Sequence, residues 1–256
     1  MKIYNNLFEQ ITSLENLFSA WDAFKSDKRK KPDVMRFEWQ LEENIFRLHR
    51  ELKSATYRHG PYSGFYVTDP KQRHIHKALV RDRVLHHAVF SVINPIFEEM
   101  FIPTSFSCRV GYGTHRGVEA LAGMMRQVSK NNTRTCHVLK CDVRKFFDSV
   151  DHRILLGILT KSIKDEKVMW LLRSIVESYS SEIGSGKGIP IGNLTSQLFA
   201  NIYMNEFDRY MKHMVKAKHY LRYTDDFVIV SENRTYLEEL LPKIKEFLSN
   251  NLAINL

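Results

Sequence analysis

The sequence predicts an α+β fold in which an antiparallel sheet is covered by helices. Two strongly β-prone runs, at 218–224 and 226–231, flank the adjacent acids Asp225 and Asp226, so a tight turn joins them into a hairpin. An earlier apolar strand at 137–142 is separated from this hairpin by helical segments. Strand, helices and hairpin in this order are typical of a split βαβ sheet.

The remaining elements follow from apolar periodicity and from turn residues. In the second half we predict helices at about 151–160, 165–179, 193–215 and 237–248, with an incipient strand at 253–256. In the first half we predict helices at 7–25, 36–55 and 82–100, a helix capped by Thr114 that runs to about 129, and strands at 62–67 and 73–77 joined across 69–72. We expect an N-terminal unit over 1–130 and a second unit over 131–256, with an approximate boundary between them.

Composition restricts the class of protein and its partners. The chain has 256 residues, 43% of them hydrophobic, which is enough to build a sizeable core and argues against disorder. Lys and Arg number 38 against 29 Asp and Glu, and the resulting charge of +9 favours a polyanionic partner. No run approaches the ~20 apolar residues of a membrane span, no signal peptide is visible, and the three cysteines form no CxxC. We expect a reduced, cytoplasmic protein without a membrane partner.

Three carboxylates carry the chemical signal. Asp142 ends the strand at 137–142, and Asp225 and Asp226 occupy the hairpin turn. Aspartates are common in turns for local reasons, so the acidic pair alone has an ordinary structural interpretation. If the strand lies beside the hairpin, however, three carboxylates converge, and their repulsion is costly unless cations neutralise it. Two Mg²⁺ ions ~3.5–4 Å apart form the clamp used in nucleotidyl transfer.

Two motifs give these acids a family. The segment LKCDVRKFFDSVDH around Asp142, with YTDD at 223–226, resembles the palm of a reverse transcriptase. Most reverse transcriptases have Gln-Gly followed by Ser-Pro between these motifs, whereas this chain has Ile191-Gly192 and Ser196-Gln197. That departure resembles the enzymes of diversity-generating retroelements and, more loosely, those of group II introns and retrons. The resemblance covers roughly 35–256.

The resemblance implies a right-hand polymerase fold, with fingers and a ferredoxin-like palm. The lysine-bearing motif, the primer grip and the helical thumb that usually follow are missing from the sequence, which ends at Leu256. Either the reading frame is truncated or another chain supplies the thumb. We therefore expect weak, strongly salt-sensitive binding to primer–template.

The resemblance also assigns roles to particular residues. Asp142, Asp225 and Asp226, with the carbonyl of Val143, hold two Mg²⁺ ions, with Mn²⁺ as a substitute, for attack of a primer 3′-hydroxyl on a deoxynucleotide. Phe147 is the steric gate against a 2′-hydroxyl, although a core phenylalanine is the ordinary alternative. The remaining positions predicted to bind the nucleotide are Lys71, Arg73, Ile191 and Gln197.

The other predicted contacts concern the nucleic acid. The positions predicted to bind it are Arg81, Arg83, Arg109 and Tyr223. For Arg81 and Arg83, pairing with Asp82 or other local acids is the alternative to contact with template phosphates, and for Arg109 the alternative is an ordinary surface arginine in a turn. The family implies copying of a template-repeat RNA, with errors opposite adenines because aliphatic Ile191 removes a hydrogen-bond partner; simple packing of Ile191 is the alternative. Implied partners are the RNA template, a DNA or RNA primer, dNTPs and a small basic accessory protein of a prokaryotic or phage retroelement.

Other functions are alternatives to this one. A retron or phage-defence reverse transcriptase has the same chemistry, but Ile191 and Gln197 argue against it. A non-catalytic RNA-binding module on a polymerase-like scaffold has no need of three converging carboxylates in a basic protein. Phe147 disfavours a nucleotide cyclase or an RNA-synthesising polymerase, because both use ribonucleotides.

Overall fold

The computed structural model describes Tyr4, residues 6–68 and residues 71–256. Its first half contains six helices and one hairpin within these residues: α1 Leu7–Thr12, α2 Leu14–Lys25, α3 Pro32–Trp39, α4 Leu41–Lys53, β1 Ser63–Val67, β2 Arg73–Lys77, α5 Val80–Glu98 and α6 Thr114–Val128. Asp69 and Pro70, at which the β1–β2 connection was predicted, lie outside the described residues.

The second half contains the larger sheet and its helices. The elements are β3 His137–Asp142, α7 Phe146–Ser149, α8 His152–Ser162, α9 Glu166–Val176, α10 Leu194–Arg209, β4 Tyr220–Tyr223, β5 Asp226–Ser231 and α11 Arg234–Leu252. A π-helical turn at Tyr210–Met214 follows α10 directly. No helix in the described part of the chain is long and apolar enough to cross a bilayer.

Two helices predicted as continuous are each divided in two. Ser13 interrupts the predicted helix at 7–25, because its hydroxyl accepts the Asn16 amide at 3.1 Å and caps a new helix, α2. Gln40 adopts a non-helical backbone (φ −121°, ψ 42°) and separates α3 from α4. Pro32 occupies the first turn of α3, where a missing N–H has no cost, so that helix begins before the predicted position 36.

One hydrophobic core extends through both halves of the chain. The N-terminal helix α2 packs on α5, which in turn packs on α10 of the second half. Leu85 and Val89 on α5 are completely buried in the same core as Tyr203 on α10. The first half therefore forms a rigid support for the second, and the boundary near 130 stays a prediction.

Three strands form the central antiparallel sheet, in the order β3-β5-β4. One face packs on α11 and, through Phe227 against Phe207, on α10. Helix α6 covers part of the other face, with Leu121 and Met124 against Leu221 and Val228. The predicted hairpin and the predicted strand at 137–142 are thus neighbours in one sheet.

Two local predictions are wrong. Residues 253–256 form no strand; Ala253 adopts a left-handed conformation (φ 51°) at the end of α11, and the Asn255 carbonyl accepts the Arg144 amide at 2.8 Å. Thr114 does not cap α6, whose N-cap is Gly113 at φ 129°. The Thr114 hydroxyl instead donates to the hydroxyl of Tyr223 at 3.2 Å.

Candidate active site

The three aspartates meet where β3 and the β4–β5 hairpin end together. Asp142 and Asp226 are direct partners in the antiparallel register, so their Cα atoms face each other across the two strands. Asp225 lies in the two-residue turn with Thr224, whose left-handed backbone (φ 57°) reverses the chain. All three line one cleft of about 490 Å³, together with Val143.

The carboxylate of Asp225 has the most perturbed environment of the three. Burial raises its pKa above the ordinary value, and the nearby charges of Asp142 and Asp226 raise it further. The guanidinium of Arg73 lowers this pKa, although not enough to compensate. Like charges therefore act on one another at this point, as the sequence predicted for converging acids.

The donor set fits hard divalent cations. Mg²⁺ prefers oxygen ligands, and the cleft offers three carboxylates and the carbonyl of Val143, a residue whose side chain is buried. In the described residues, however, no three His, Cys, Asp or Glu side chains are already gathered into a metal-binding group. Mutual repulsion favours such separation, and it is offset in part by the guanidinium of Arg73 and by a weak, exposed ion pair between Lys140 and Asp226 (3.6 Å).

The turn is supported by a buried arginine that the sequence analysis missed. Arg222 is fully buried, and its guanidinium binds both carboxylate oxygens of Asp208 at 2.7 and 2.8 Å. It also donates to the Thr224 carbonyl at 2.8 Å and to the Ser105 hydroxyl at 3.0 Å. Arg222 thus connects α10 directly to the turn that carries Asp225. A charged residue inside an apolar strand was the available signal.

Phe147 lies at the floor of the cleft, next to a buried neighbour. Phe146 is 2% exposed and belongs to the core, whereas Phe147 is partly exposed and lines the cleft beside Asp142. The two rings meet edge to face at 5.6 Å. The Phe147 carbonyl accepts the Ile189 amide at 2.8 Å, which fixes the backbone of this residue against the loop that leads to Ile191.

Ile191 and Gln197 lie on the side of the cleft nearest the β1–β2 hairpin, called here the fingers hairpin. Both line it, and Gln197 at the start of α10 is exposed. The Ile191 carbonyl accepts the His76 amide of β2 at 3.0 Å. Gly192 has φ +118°, and an added Cβ would lie 2.9 Å from the Ile75 side chain, so the hairpin and this turn are in close contact.

The two cations predicted to bind the triphosphate differ in position. Arg73 lines the cleft and influences Asp225, whereas Lys71 is exposed and does not line the cleft. Both belong to the hairpin region, where every residue of β1 is exposed. The structure thus brings Arg73 to the aspartates and leaves Lys71 outside.

The arginines predicted to contact nucleic acid make contacts within the protein. Arg81 pairs with Glu51 at 2.8 Å, and Arg83 pairs with Asp33 at 2.6 Å. Arg109 has a side chain only 4% exposed and pairs with Glu98 at 2.8 Å. Ion pairs were the alternative that the sequence left open for Arg81 and Arg83, whereas the buried Arg109 is not the ordinary surface residue of a turn that its own alternative described.

Tyr223 has a different setting from these arginines. It is 39% exposed and lines the cleft. Tyr223 is thus an exposed aromatic residue beside the Thr224–Asp225 turn.

The fold and the cleft define a protein of the polymerase class, with a palm and a fingers hairpin. The model of the family described as reverse transcriptase (RNA-dependent DNA polymerase) matches residues 68–256, and the chain belongs to that family. The chain is 26% identical over 247 residues to Protein YkfC of Escherichia coli (strain K12), covering 82% of this chain and 64% of that protein. It is 25% identical over 177 residues to the group II intron-encoded protein LtrA of Lactococcus lactis subsp. cremoris, covering 66% of this chain and 28% of the relative.

The fold comparison agrees with the family. The structure of apo telomerase from Candida tropicalis, truncated from its C-terminal domain, superposes with a TM-score of 0.54 at 13% identity, covering 80% of this chain and 52% of the other. The chain spans less than two thirds of the length of these curated relatives.

Proposed function

We propose that the chain is an RNA-directed DNA polymerase that joins deoxynucleotides to a primer along an RNA template. The observation that carries this proposal is the register of β3 and β5, which sets Asp142 opposite Asp226, with Asp225 beside them in one cleft. Membership of the reverse transcriptase family supports the same activity.

The residues of the cleft take separate roles in this proposal. Asp142, Asp225 and Asp226, with the carbonyl of Val143, would hold two Mg²⁺ or Mn²⁺ ions. Bound cations of this kind activate a hydroxyl and neutralise charge on the attacking and leaving oxygens. The aspartates would also determine where the cations lie, and so how the primer end and the nucleotide are oriented. Arg222 keeps the turn with Asp225 in place, because it connects this turn to α10.

The nucleotide contacts come from the two walls of the cleft. Arg73 neutralises phosphate charge from the fingers side and offers forked donors that suit phosphate oxygens. The partly exposed ring of Phe147 packs under the sugar and leaves no space for a 2′-hydroxyl. Gln197 and Ile191 face the base-pairing region from the start of α10 and the loop before it.

Primer extension on an RNA template tests this proposal. We expect the parent protein to incorporate dNTPs with Mg²⁺, and Asp225→Asn to lower the rate by roughly 10²–10³-fold, because several kcal/mol of transition-state stabilisation is lost. Asp22→Asn is the matched control, since Asp22 is 66% exposed on α2, far along the chain from the cleft. Undiminished synthesis by Asp225→Asn would contradict the assignment. A parent that binds RNA but makes no DNA would identify the non-catalytic alternative.

Ile191 and Gln197 favour a diversity-generating retroelement as the biological setting. An aliphatic side chain at the wall of the cleft offers no hydrogen bond to the pairing region, and a loss of ~1–3 kcal/mol in discrimination raises misincorporation roughly tenfold to a hundredfold. We therefore propose errors concentrated opposite template adenines. Sequenced products with a flat error spectrum would point to the retron or phage-defence alternative, and Ile191→Gln is expected to reduce the adenine excess.

The proposed partners follow from this activity. They are the RNA template, a DNA or RNA primer, dNTPs and a small basic accessory protein of the retroelement, and the proposed location is the cytoplasm of a prokaryotic host. The net charge of +9 supports a polyanionic partner. A steep loss of primer–template affinity between 50 and 200 mM salt, on the order of 10³-fold, is the expected signature.

A further inference from the structure

A buried chain of hydrogen bonds connects the start of α10 with the base of the fingers. The Thr195 hydroxyl lies 2.7 Å from Nδ1 of His86, and Nε2 of His86 lies 3.1 Å from Nε2 of His59. Nδ1 of His59 lies 2.7 Å from the carbonyl of Gly60. His86 and Thr195 are each 1% exposed, so water cannot replace their contacts.

Each ring of this chain is bonded through both of its nitrogens. A carbonyl only accepts, so Nδ1 of His59 carries a hydrogen. His86 bonds His59 through Nε2 and the Thr195 hydroxyl through Nδ1, so one of its nitrogens donates and the other accepts. Burial, aided by nearby positive groups, holds the pKa of His86 well below its usual range, so its ring is neutral as this arrangement requires.

A second chain starts at Asn193 and ends on another carbonyl, and it meets the first chain where the Tyr62 hydroxyl lies 3.3 Å from Nε2 of His59. The Ser178 hydroxyl donates to the Ile175 carbonyl at 2.6 Å, so its oxygen accepts from Tyr62 at 2.8 Å. Burial raises the pKa of Tyr62 to about 12, which keeps this hydroxyl protonated. Because Tyr62 donates to Ser178, its oxygen accepts the side-chain amide of Asn193 at 3.3 Å.

Both chains begin on the same short segment of the palm. Residues 191–197, called here the nucleotide-facing segment, contain Ile191 and Gln197 of the cleft and the buried Asn193 and Thr195 between them. Asn193 also lines the cleft, and its Oδ1 has no hydrogen-bond partner among the described residues. The bonds to Tyr62 and His86 thus hold one side of this segment, while its other side lines the cleft.

We propose that Thr195, His86 and Tyr62 are positioning residues that hold the nucleotide-facing segment in register for the incoming nucleotide. The inference rests on the proposed function, because it assigns the segment a contact with the nucleotide. None of the three needs to touch the reacting atoms. Their effect passes through Ile191, Asn193 and Gln197, which line the cleft.

The proposal predicts a particular kinetic signature. A displaced segment weakens nucleotide binding in the ground state and in the transition state alike, so KM rises while kcat stays nearly constant. Thr195→Val keeps the shape of the side chain and removes the hydroxyl that is bonded to His86. We expect KM for dNTP to rise about fivefold, the equivalent of one lost buried hydrogen bond, with kcat within about twofold of the parent. Thr195→Ser, which restores the hydroxyl, should restore KM.

A matched variant separates positioning from stability. Thr12 on α1 is as buried as Thr195, and its hydroxyl donates to the Phe8 carbonyl at 2.8 Å. Thr12→Val should lower the melting temperature by a similar amount and leave KM unchanged. An equal rise in KM for Thr12→Val and Thr195→Val would overturn the proposal, as would an unchanged KM in Thr195→Val.

A second pair of variants tests the other chain and covers the case in which Thr195→Val does not fold. Tyr62→Phe removes the hydroxyl that accepts from Asn193, and we expect KM to rise about threefold to fivefold. Tyr57→Phe is its control, because the Tyr57 hydroxyl donates at 2.9 Å to Asp82, which accepts the Gly60 amide at the far end of the first chain and is not bonded to Tyr62 or Asn193 in the described structure. Equal KM values for Tyr62→Phe and Tyr57→Phe would contradict the proposal.

Binding of dTTP to a complex with a dideoxy-terminated primer supplies a readout without synthesis. Calorimetry should show the same loss of affinity for Thr195→Val and Tyr62→Phe, and none for the two controls. If the parent extends no primer, the proposed function fails on that result alone. The inference fails separately if dTTP binds the parent and all four variants equally.

Discussion

The Thr224–Asp225 turn and the β1–β2 hairpin both contribute to the lining of the same cleft and are built in opposite ways. The turn is supported from below by a fully buried arginine with five hydrogen bonds to neighbouring groups. In the hairpin, all of β1 is exposed, and β2 is joined to the palm by the bond from His76 to Ile191. Buried charge therefore fixes the position of the aspartates, whereas the hairpin that carries Arg73 has an exposed outer strand.

The first prediction removes the support of the turn. Arg222→Met leaves the buried Asp208 carboxylate without its cationic partner, although the Tyr220 hydroxyl still donates to it at 2.6 Å, so we expect the free energy of unfolding to fall by about 3–5 kcal/mol. Chemical denaturation measures this change. Arg234→Met is the control, because its ion pair with Glu238 is exposed and worth no more than about 0.5 kcal/mol. Equal losses in the two variants would remove the distinction between the regions.

The second prediction concerns the side chain next to the turn. Phe147→Ala opens the floor of the cleft, so discrimination against ribonucleotides should fall by about 10–100-fold in kcat/KM. Phe146→Leu is the matched change, since Phe146 is 2% exposed in the core and should lose stability without losing discrimination. Retained discrimination in Phe147→Ala would show that another residue acts as the gate.

The third prediction compares two cations of the hairpin. Arg73→Gln should raise KM for dNTP roughly tenfold, because a charge-assisted bond to phosphate is lost within the cleft. Lys71→Gln should raise it no more than about twofold, since Lys71 lies outside the cleft lining. Steady-state kinetics at fixed primer–template decides between them. A larger effect at Lys71 would mean that the hairpin moves when nucleotide binds.

The smallest expected effect lies at the rim of the turn. Tyr223→Phe removes the bond from Thr114, and both residues are exposed, so stability should change by less than about 1 kcal/mol. Primer–template affinity should be nearly unchanged, because the ring remains for stacking. A destabilisation as large as that of Arg222→Met would show that the rim, too, supports the turn.

Local patterns in the sequence predicted the elements that carry the site. The strands at 137–142 and 226–231 agree with β3 and β5, because short apolar, β-prone runs beside turn residues specify strands without distant information. The turn differs in detail, since it consists of Thr224 and Asp225 while Asp226 begins β5. Asp142 and Asp226 face each other as the converging-carboxylate hypothesis required.

Long-range partners were not predictable in the same way. Ser105 lies 117 residues from Arg222, and no local pattern announces their hydrogen bond. Arg83 likewise pairs with Asp33, 50 residues earlier, so the positive charge of this predicted nucleic-acid contact is neutralised within the fold. The breaks at Ser13 and Gln40 depend on capping and on a single backbone conformation that apolar periodicity does not record.

The central claim is that Asp142, Asp225 and Asp226 bind divalent cations in one cleft. Electron paramagnetic resonance of Mn²⁺ titrated into the protein with dTTP and a dideoxy-terminated primer–template tests it without requiring synthesis. We predict protein-dependent loss of the free Mn²⁺ signal for the parent and for Asp22→Asn, and a much weaker loss for Asp142→Asn and Asp225→Asn. Equal Mn²⁺ binding by all four proteins would contradict the account.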